Sequence, residues 1–168
     1  MKKSAVVGMC LLLAVSSLTG CKSLKKNPAG VYGSDGLMNG GAGSIAMGNR
    51  FTGGTEHPGM FAPVYFEYDS AQIASGERSK IETVAQHLKK NSSVAVIIEG
   101  NCDERGSNEY NLALGERRAQ AIRDYLVSLG IGADYIQTKS YGEEKPVNPG
   151  HDEAAWVANR RGDFVLYY

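Results

Sequence analysis

Two side chains of opposite charge, Asp103 and Arg118, begin and end the stretch DERGSNEYNLALGERR, and their types and spacing could hold a ligand that carries both charges. The apolar period around Arg118 predicts a helix from about Asn108 to Leu129, capped by Ser107 and stopped at Gly130. At 100° per residue, Asn111, Leu114, Ala121, Ile122, Tyr125 and Leu129 fall within about 60° of Arg118, whereas Arg117 lies about 100° away. Arg118 therefore belongs to the apolar stripe. A guanidinium there needs an anionic partner, since its desolvation costs several kcal/mol. Asp103, in the turn leaving the preceding strand, is the nearest candidate. The carboxyl ends of parallel strands are where ligands settle in open α/β sheets. Either the pair binds a ligand with an ammonium and a carboxylate, the latter taken bidentately by the arginine, or it closes the loop as a plain salt bridge. The residues alone leave both readings open.

Other reactive side chains give less. Cys102 has no base near it in sequence and reads as a packed loop thiol. His57, His87 and His151 are scattered without metal-ligand spacing. Glu143 and Glu144 are adjacent on a loop, where two carboxylates rarely point at one substrate, and are expected to form a solvated turn. Arg160 and Arg161 end a short helix, where cations suit the dipole, and one of them is a candidate to brace the fold or support binding. Trp156 is expected to pack. No catalytic set and no metal set emerges, which disfavours a hydrolase. With 18 basic and 18 acidic residues the chain is formally neutral, and nothing in its charge argues for nucleic acid.

The elements that must position these residues lie between 63 and 168. VYFEY (64–68), VAVIIEG (94–100), YIQTKSYG (135–142) and FVLYY (164–168) read as strands. Ile81, Val84, Ala85 and Leu88 mark a helix from about Gly76 to Lys90, and a short third helix is expected from Asp152 to about Asn159. The order β-α-β-α-β-(short α)-β, with right-handed crossovers, predicts an α/β two-layer sandwich: a mixed four-stranded sheet with both long helices on one face.

The N-terminal part differs in kind. Lys2 and Lys3 precede an apolar run from Ala5 to Val15, an export signal too short to span a bilayer. Residues 1–20 are read as that signal and 21–62 as a flexible tether, because ten of the thirty residues from Gly30 to Gly59 are Gly and no apolar period appears. At 5 to 6 Å per square root of residue number, such a tether spans roughly 35 Å. LTGC, Leu18 to Cys21, resembles the lipobox of bacterial lipoproteins, which implies acyl chains on Cys21. Lys22 in the next position implies, by the same resemblance, the outer membrane. Cys102 is then the one cysteine left for the folded part, so no internal disulfide is available.

VYFEYDS, EGNCDERGSNEYNLALGERRAQAIRDYL, SYGEEKP and GHDEAAWVANRR together resemble the peptidoglycan-associated lipoproteins, members of the family with the OmpA-like C-terminal domain. The likeness covers about Pro63 to Tyr168. It implies non-covalent binding of the diaminopimelate residue of the peptidoglycan stem peptide, with Asp103 on the ammonium and Arg118 on the carboxylate. Arg105 and Asn111 would support them, and Tyr68 and Asp69 would form the opposite wall. It implies a sheet ordered 1, 4, 2, 3 with strand 4 antiparallel. It further implies an outer-membrane protein of the Tol-Pal system, with TolB as periplasmic partner and a role in envelope integrity and division, and neither cofactor nor catalytic residue. A peptidoglycan-binding lipoprotein outside the Tol system is the alternative. Asn101 and Cys102 stand where the family often has His and Thr, and a changed loop contact is expected there.

Overall fold

The computed structural model describes residue 51 and residues 53–168; the expected export signal, the expected lipidation site Cys21 and most of the Gly-rich stretch lie outside them. The strands are β1 (Glu56–Pro58), β2 (Val64–Tyr65), β3 (Ala95–Asn101), β4 (Ile136–Gly142) and β5 (Arg161–Tyr167), and the helices α1 (Arg78–Lys90), α2 (Asn108–Ser128) and α3 (Glu153–Asn159). β3 and β4 are parallel, and β5 lies antiparallel on the other side of β3. β2 and β1 both pair antiparallel with the outer edge of β5. Apart from β1, this is the expected order.

One apolar cluster joins the layers. Ile81, Val84 and Leu88 of α1 and Ala119, Ile122 and Leu126 of α2 meet Val96, Ile98, Ile136, Phe164 and Leu166 of the sheet. Each such aliphatic side chain contributes roughly 1.5–3 kcal/mol when fully buried. The two predicted caps form: Ser107 Oγ accepts the Tyr110 N–H at 3.2 Å, and Asp152 Oδ1 accepts the Ala155 N–H at 2.8 Å. A 3-10 turn, Ser75–Glu77, takes the place of the expected first residues of α1. Among the described residues no helix is long and apolar enough to cross a membrane.

Two differences from the sequence-based expectations bear on function. The strand expected over 64–68 stops at Tyr65. Phe66 still donates its N–H to the Arg160 carbonyl (3.0 Å) and buries its ring, but the chain then leaves the sheet and carries Glu67, Tyr68 and Asp69 over the end of β3. The second difference is β1, which lies within the segment expected to be tether. Glu56 pairs with Tyr167, and Thr55 and Tyr168 exchange backbone hydrogen bonds of 3.0 and 3.2 Å. The Tyr167 hydroxyl also accepts the Gly54 N–H at 3.1 Å. A glycine-rich composition hides a short edge strand whose partner is more than a hundred residues away.

The end of β3 is brought against α2 by two glycines. A Cβ on Gly100 would sit 1.9 Å from the Gly115 carbonyl oxygen, and a Cβ on Gly115 would sit 2.8 Å from the Gly100 oxygen. This close approach places the N-terminal half of α2 directly over the loop that carries Asp103. Gly100→Ala should therefore lower stability by about 2–3 kcal/mol, in the upper range for overpacking. A thermal melt should show a midpoint several degrees lower; an unchanged midpoint would refute the close packing.

Candidate functional site

β3 loses its regular register with β4 between Gly100 and Asn101, and the Cys102 N–H donates to the Gly142 carbonyl at 2.7 Å. The chain then turns through Asp103–Ser107 into α2, with Gly106 at φ +115°, a conformation that favours glycine. Asp103, buried beneath this turn, organises it. Its Oδ1 accepts the Arg105 backbone N–H (3.1 Å) and Nε (3.2 Å), and its Oδ2 accepts Arg105 Nη2 (2.7 Å) and Arg160 Nη1 (3.2 Å). Four acceptor positions are thereby filled, the full capacity of a carboxylate. Burial acts to raise the Asp103 pKa, but the Arg105 and Arg160 hydrogen bonds outweigh it and hold the carboxyl below the usual aspartate range.

Arg118 is 0 % exposed, and its partner is not the one expected. Nε donates to the Ser70 carbonyl at 2.8 Å, Nη2 to the Glu67 carbonyl at 3.0 Å, and Nη1 to the Asn101 carbonyl at 2.8 Å and to Cys102 Sγ at 3.4 Å. Phe66 lies against the guanidinium at 5.2 Å from its ring centroid. No ion pair joins Arg118 to Asp103 among the described residues; Asp103 pairs with Arg105 and Arg160 instead. The phase argument correctly turned Arg118 inward. It failed to count backbone carbonyls, three of which converge here because β2 ends early and β3 ends beside it. Four of the five guanidinium N–H groups are engaged, leaving one on Nη2.

Around this pair a hollow of about 110 Å³ is lined by Tyr68, Asp69, Cys102, Asp103, Arg105, Gly106, Tyr110, Asn111, Leu114, Arg118 and Arg160. All six residues expected at the site are among them. Three further features shape the hollow, and of the two candidate arginines 160 and 161 it is Arg160 that lines it. Arg160 bridges Phe66 O (3.1 Å), Asp103 and Glu153 Oε1 (3.1 Å). Tyr110, half exposed, donates its hydroxyl to Asp69 Oδ1, while Asp69 itself holds φ at +53°, a strained conformation for a residue with a side chain. Arg105 is stacked between Tyr68 and Trp156, its guanidinium carbon 4.1 Å from each ring centroid. Trp156 thus belongs to the rim, its indole N–H donating to Glu104 at 2.9 Å.

Glu143 corrects the reading of the 143–144 pair as a solvated turn. Gly142 at φ +54° turns the chain back toward α2, and Glu143 Oε2 accepts the Asn111 side-chain N–H at 2.6 Å. Glu144 stays outside, with a long contact of 3.4 Å from Asn108. Cys102 is the packed thiol expected: buried, donating to the Asn111 carbonyl at 3.3 Å, its pKa pushed up by burial against the opposing effect of Arg118. Arg161 faces away from the hollow, its Nε 2.9 Å from Asp163.

The sequence profile of the OmpA family matches residues 65–160, and a peptidoglycan-associated lipoprotein of Agrobacterium fabrum is 41% identical over 98% of this chain and 88% of its own. The chain belongs to the OmpA family, among the peptidoglycan-associated lipoproteins. Another lipoprotein of this family, from Pseudomonas aeruginosa, is 39% identical over 90% of both chains. The crystal structure of the Burkholderia pseudomallei peptidoglycan-associated lipoprotein superposes with a TM-score of 0.61 at 46% identity, covering 62% of this chain and 88% of that one. The C-terminal domain of Helicobacter pylori MotB, 22% identical, superposes at 0.59 over 62% of this chain and 83% of its own, and shares the fold.

Two outcomes follow for this member of the family. Arg118→Ala removes a donor from three carbonyls, the buried one of Asn101 and the part-buried ones of Ser70 and Glu67, at about 1–3 kcal/mol for the buried one, and should lower the melting temperature; a wild-type melt would remove Arg118 as a brace. Because the Asp103 pKa is depressed in the fold, its contribution is complete above the unfolded value of about 4 and is lost as pH falls through the folded value. The stability gap between wild type and Asp103→Asn, read by denaturant titration, should shrink as pH falls below about 4.

Proposed function

We propose that this OmpA-family lipoprotein is anchored in the outer membrane through acyl chains on Cys21 and grips the peptidoglycan non-covalently in the hollow between Asp69, Asp103, Asn111 and Arg118. Residues 1–20 serve as the export signal, and the Gly-rich residues between Cys21 and β1 serve as a tether. Two or more acyl chains, at roughly 0.8 kcal/mol per buried CH₂, make such anchoring effectively permanent. The observation that carries the reading is the composition of one small hollow: three arginines and two aspartates face a space of amino-acid size at the carboxyl edge of the parallel pair β3 and β4. The names of the relatives point to the same polymer.

The ligand that suits this arrangement is diaminopimelate, whose free end carries an ammonium and a carboxylate on one carbon. Asp103 has no vacant acceptor position, so the ligand enters by exchange. Its ammonium takes the place of the longest Arg105 contact on Asp103, with Asp69 at the mouth. Its carboxylate meets the Arg105 face so released and the remaining N–H of Arg118. One contact of the Arg105–Asp103 pair is given up for contacts of both ligand charges, which suits a grip that must also let go. No bond is made or broken. The Cys102 thiol is held protonated by burial and spent on a backbone carbonyl, so it is no nucleophile. Membership of the Tol-Pal system, with TolB as partner and a role in cell division, extends this reading by resemblance.

Purified protein should co-sediment with diaminopimelate-type sacculi, and Asp103→Ala should reduce the bound fraction at least tenfold, the loss of roughly one charged hydrogen bond. Undiminished binding by a folded Asp103→Ala protein would refute the site. Release of soluble muropeptides by the wild type would favour a hydrolase, and failure to capture TolB would place the protein outside the Tol system.

A further inference from the structure

Asn111 is 2 % exposed and sits where α2 passes behind the hollow, and its side-chain amide has unequal surroundings on its two branches. Around Nδ2 are three acceptors: the Asp103 carbonyl at 3.3 Å, the Arg105 carbonyl at 3.2 Å and Glu143 Oε2 at 2.6 Å. Turning the amide over would press its oxygen against all three, so its orientation is fixed. Oδ1 accepts no hydrogen bond among the described residues, and both branches of the amide stand against Gly106, 3.6 and 3.7 Å from where a glycine Cβ would be. Gly106 and Asn111 both line the hollow. The result is an amide in the wall of the hollow whose donors are spent and whose carbonyl oxygen keeps its lone pairs.

The rest of the lining makes that oxygen important. Arg105, Arg118 and Arg160 supply only donors, and Asp103 accepts four hydrogen bonds already. Asp69 spends one oxygen on Tyr110. A ligand ammonium carries three N–H groups and therefore meets a pocket short of acceptors. Glu143 remedies this at one remove. Its carboxylate takes the strongest of the Nδ2 bonds, and an amide whose N–H donates to an anion has a more electron-rich carbonyl.

We infer that Glu143 is a positioning and specificity residue of the wall-binding hollow: by clamping Asn111 Nδ2 it aims Asn111 Oδ1 at the ammonium of the bound diaminopimelate. This rests on the proposed function, and it assigns a role to an acidic residue on the β4–α3 loop that touches no ligand itself. Glu143 acts on one ligand group alone. Its effect appears when the ammonium is free and vanishes when that nitrogen is acylated, as it is in a cross-linked stem peptide. The clamp thereby biases the protein toward uncross-linked wall.

The test is a titration of the full chain with two probes, the stem tripeptide ending in diaminopimelate and the same tripeptide with the free side-chain amine acetylated. Glu143→Ala should weaken binding of the free-amine probe by about tenfold, the size of one charged hydrogen bond, and leave the acetylated probe within about twofold. Glu143→Gln, which can still accept from Asn111 but lacks the charge, keeps the aim and loses the polarisation, and should recover part of the loss. The Asn111 side-chain amide protons in the nuclear magnetic resonance spectrum should move upfield in Glu143→Ala without ligand. Equal weakening for both probes, or none for either, would overturn the inference and leave the wall-binding reading standing. Failure of the wild type to bind the free-amine probe would overturn both.

Discussion

A buried guanidinium holds this site together. Arg118 ties the carbonyls of Glu67 and Ser70, on the chain leaving β2, to the carbonyl of Asn101 at the end of β3. The chain leaving β2 has no strand partner at that point, and without the guanidinium the buried Asn101 carbonyl would lose its side-chain donor and the Ser70 and Glu67 carbonyls their link to β3. Every other feature of the hollow depends on this junction. It sets the position of Tyr68 and Asp69 relative to Asp103, it holds Phe66 under the cation, and it leaves Asp103 free to serve Arg105 and Arg160. Burial lowers the Arg118 pKa from its ordinary value, yet an arginine stays charged under such conditions, so the brace holds across the physiological range.

The wider site follows one logic, in which each charge is committed before a ligand arrives. Asp103 is saturated, Arg160 is shared among Phe66, Asp103 and Glu153, and Arg105 lies between two aromatic rings. A low-dielectric hollow would otherwise penalise so many charges heavily. Pairing them internally offsets that penalty. Asn101 is the exception. Its Nδ2 reaches the Glu99 carbonyl and Asp163, but its Oδ1 is buried without a partner among the described residues, and nothing in the structure explains it.

Periodicity carried the helices, the central strands and their order, because apolar spacing reports directly on one buried face. It also turned Arg118 inward and Arg117 outward, and the resemblance placed all six expected residues in the hollow. What stayed hidden depends on pairing across the chain. The partner of Arg118 was invisible because backbone carbonyls have no letter in a sequence. Glu143 was hidden by a positive-φ glycine that reverses the loop, and which of the adjacent Arg160 and Arg161 serves the site was open until the fold turned Arg160 to Asp103 and Arg161 to Asp163. β1 was hidden by composition, since three residues paired with β5 carry no period.

The direction of β1 has a mechanical meaning. β1 runs parallel to β3, and its first residue, Glu56, is level with Tyr167 and Ala95, at the end of the sheet remote from the hollow. Seven residues of β3, at about 3.3 Å each, separate the two ends by roughly 20 Å. A pull applied at Glu56 along the sheet, away from the hollow, loads β1 lengthwise. Its hydrogen bonds to β5 then share the force in shear, whereas those of a peeled strand would break singly. Should they yield together, residues 54–63 would leave the sheet while the apolar core that joins α1 and α2 to β3, β4 and β5 remains intact.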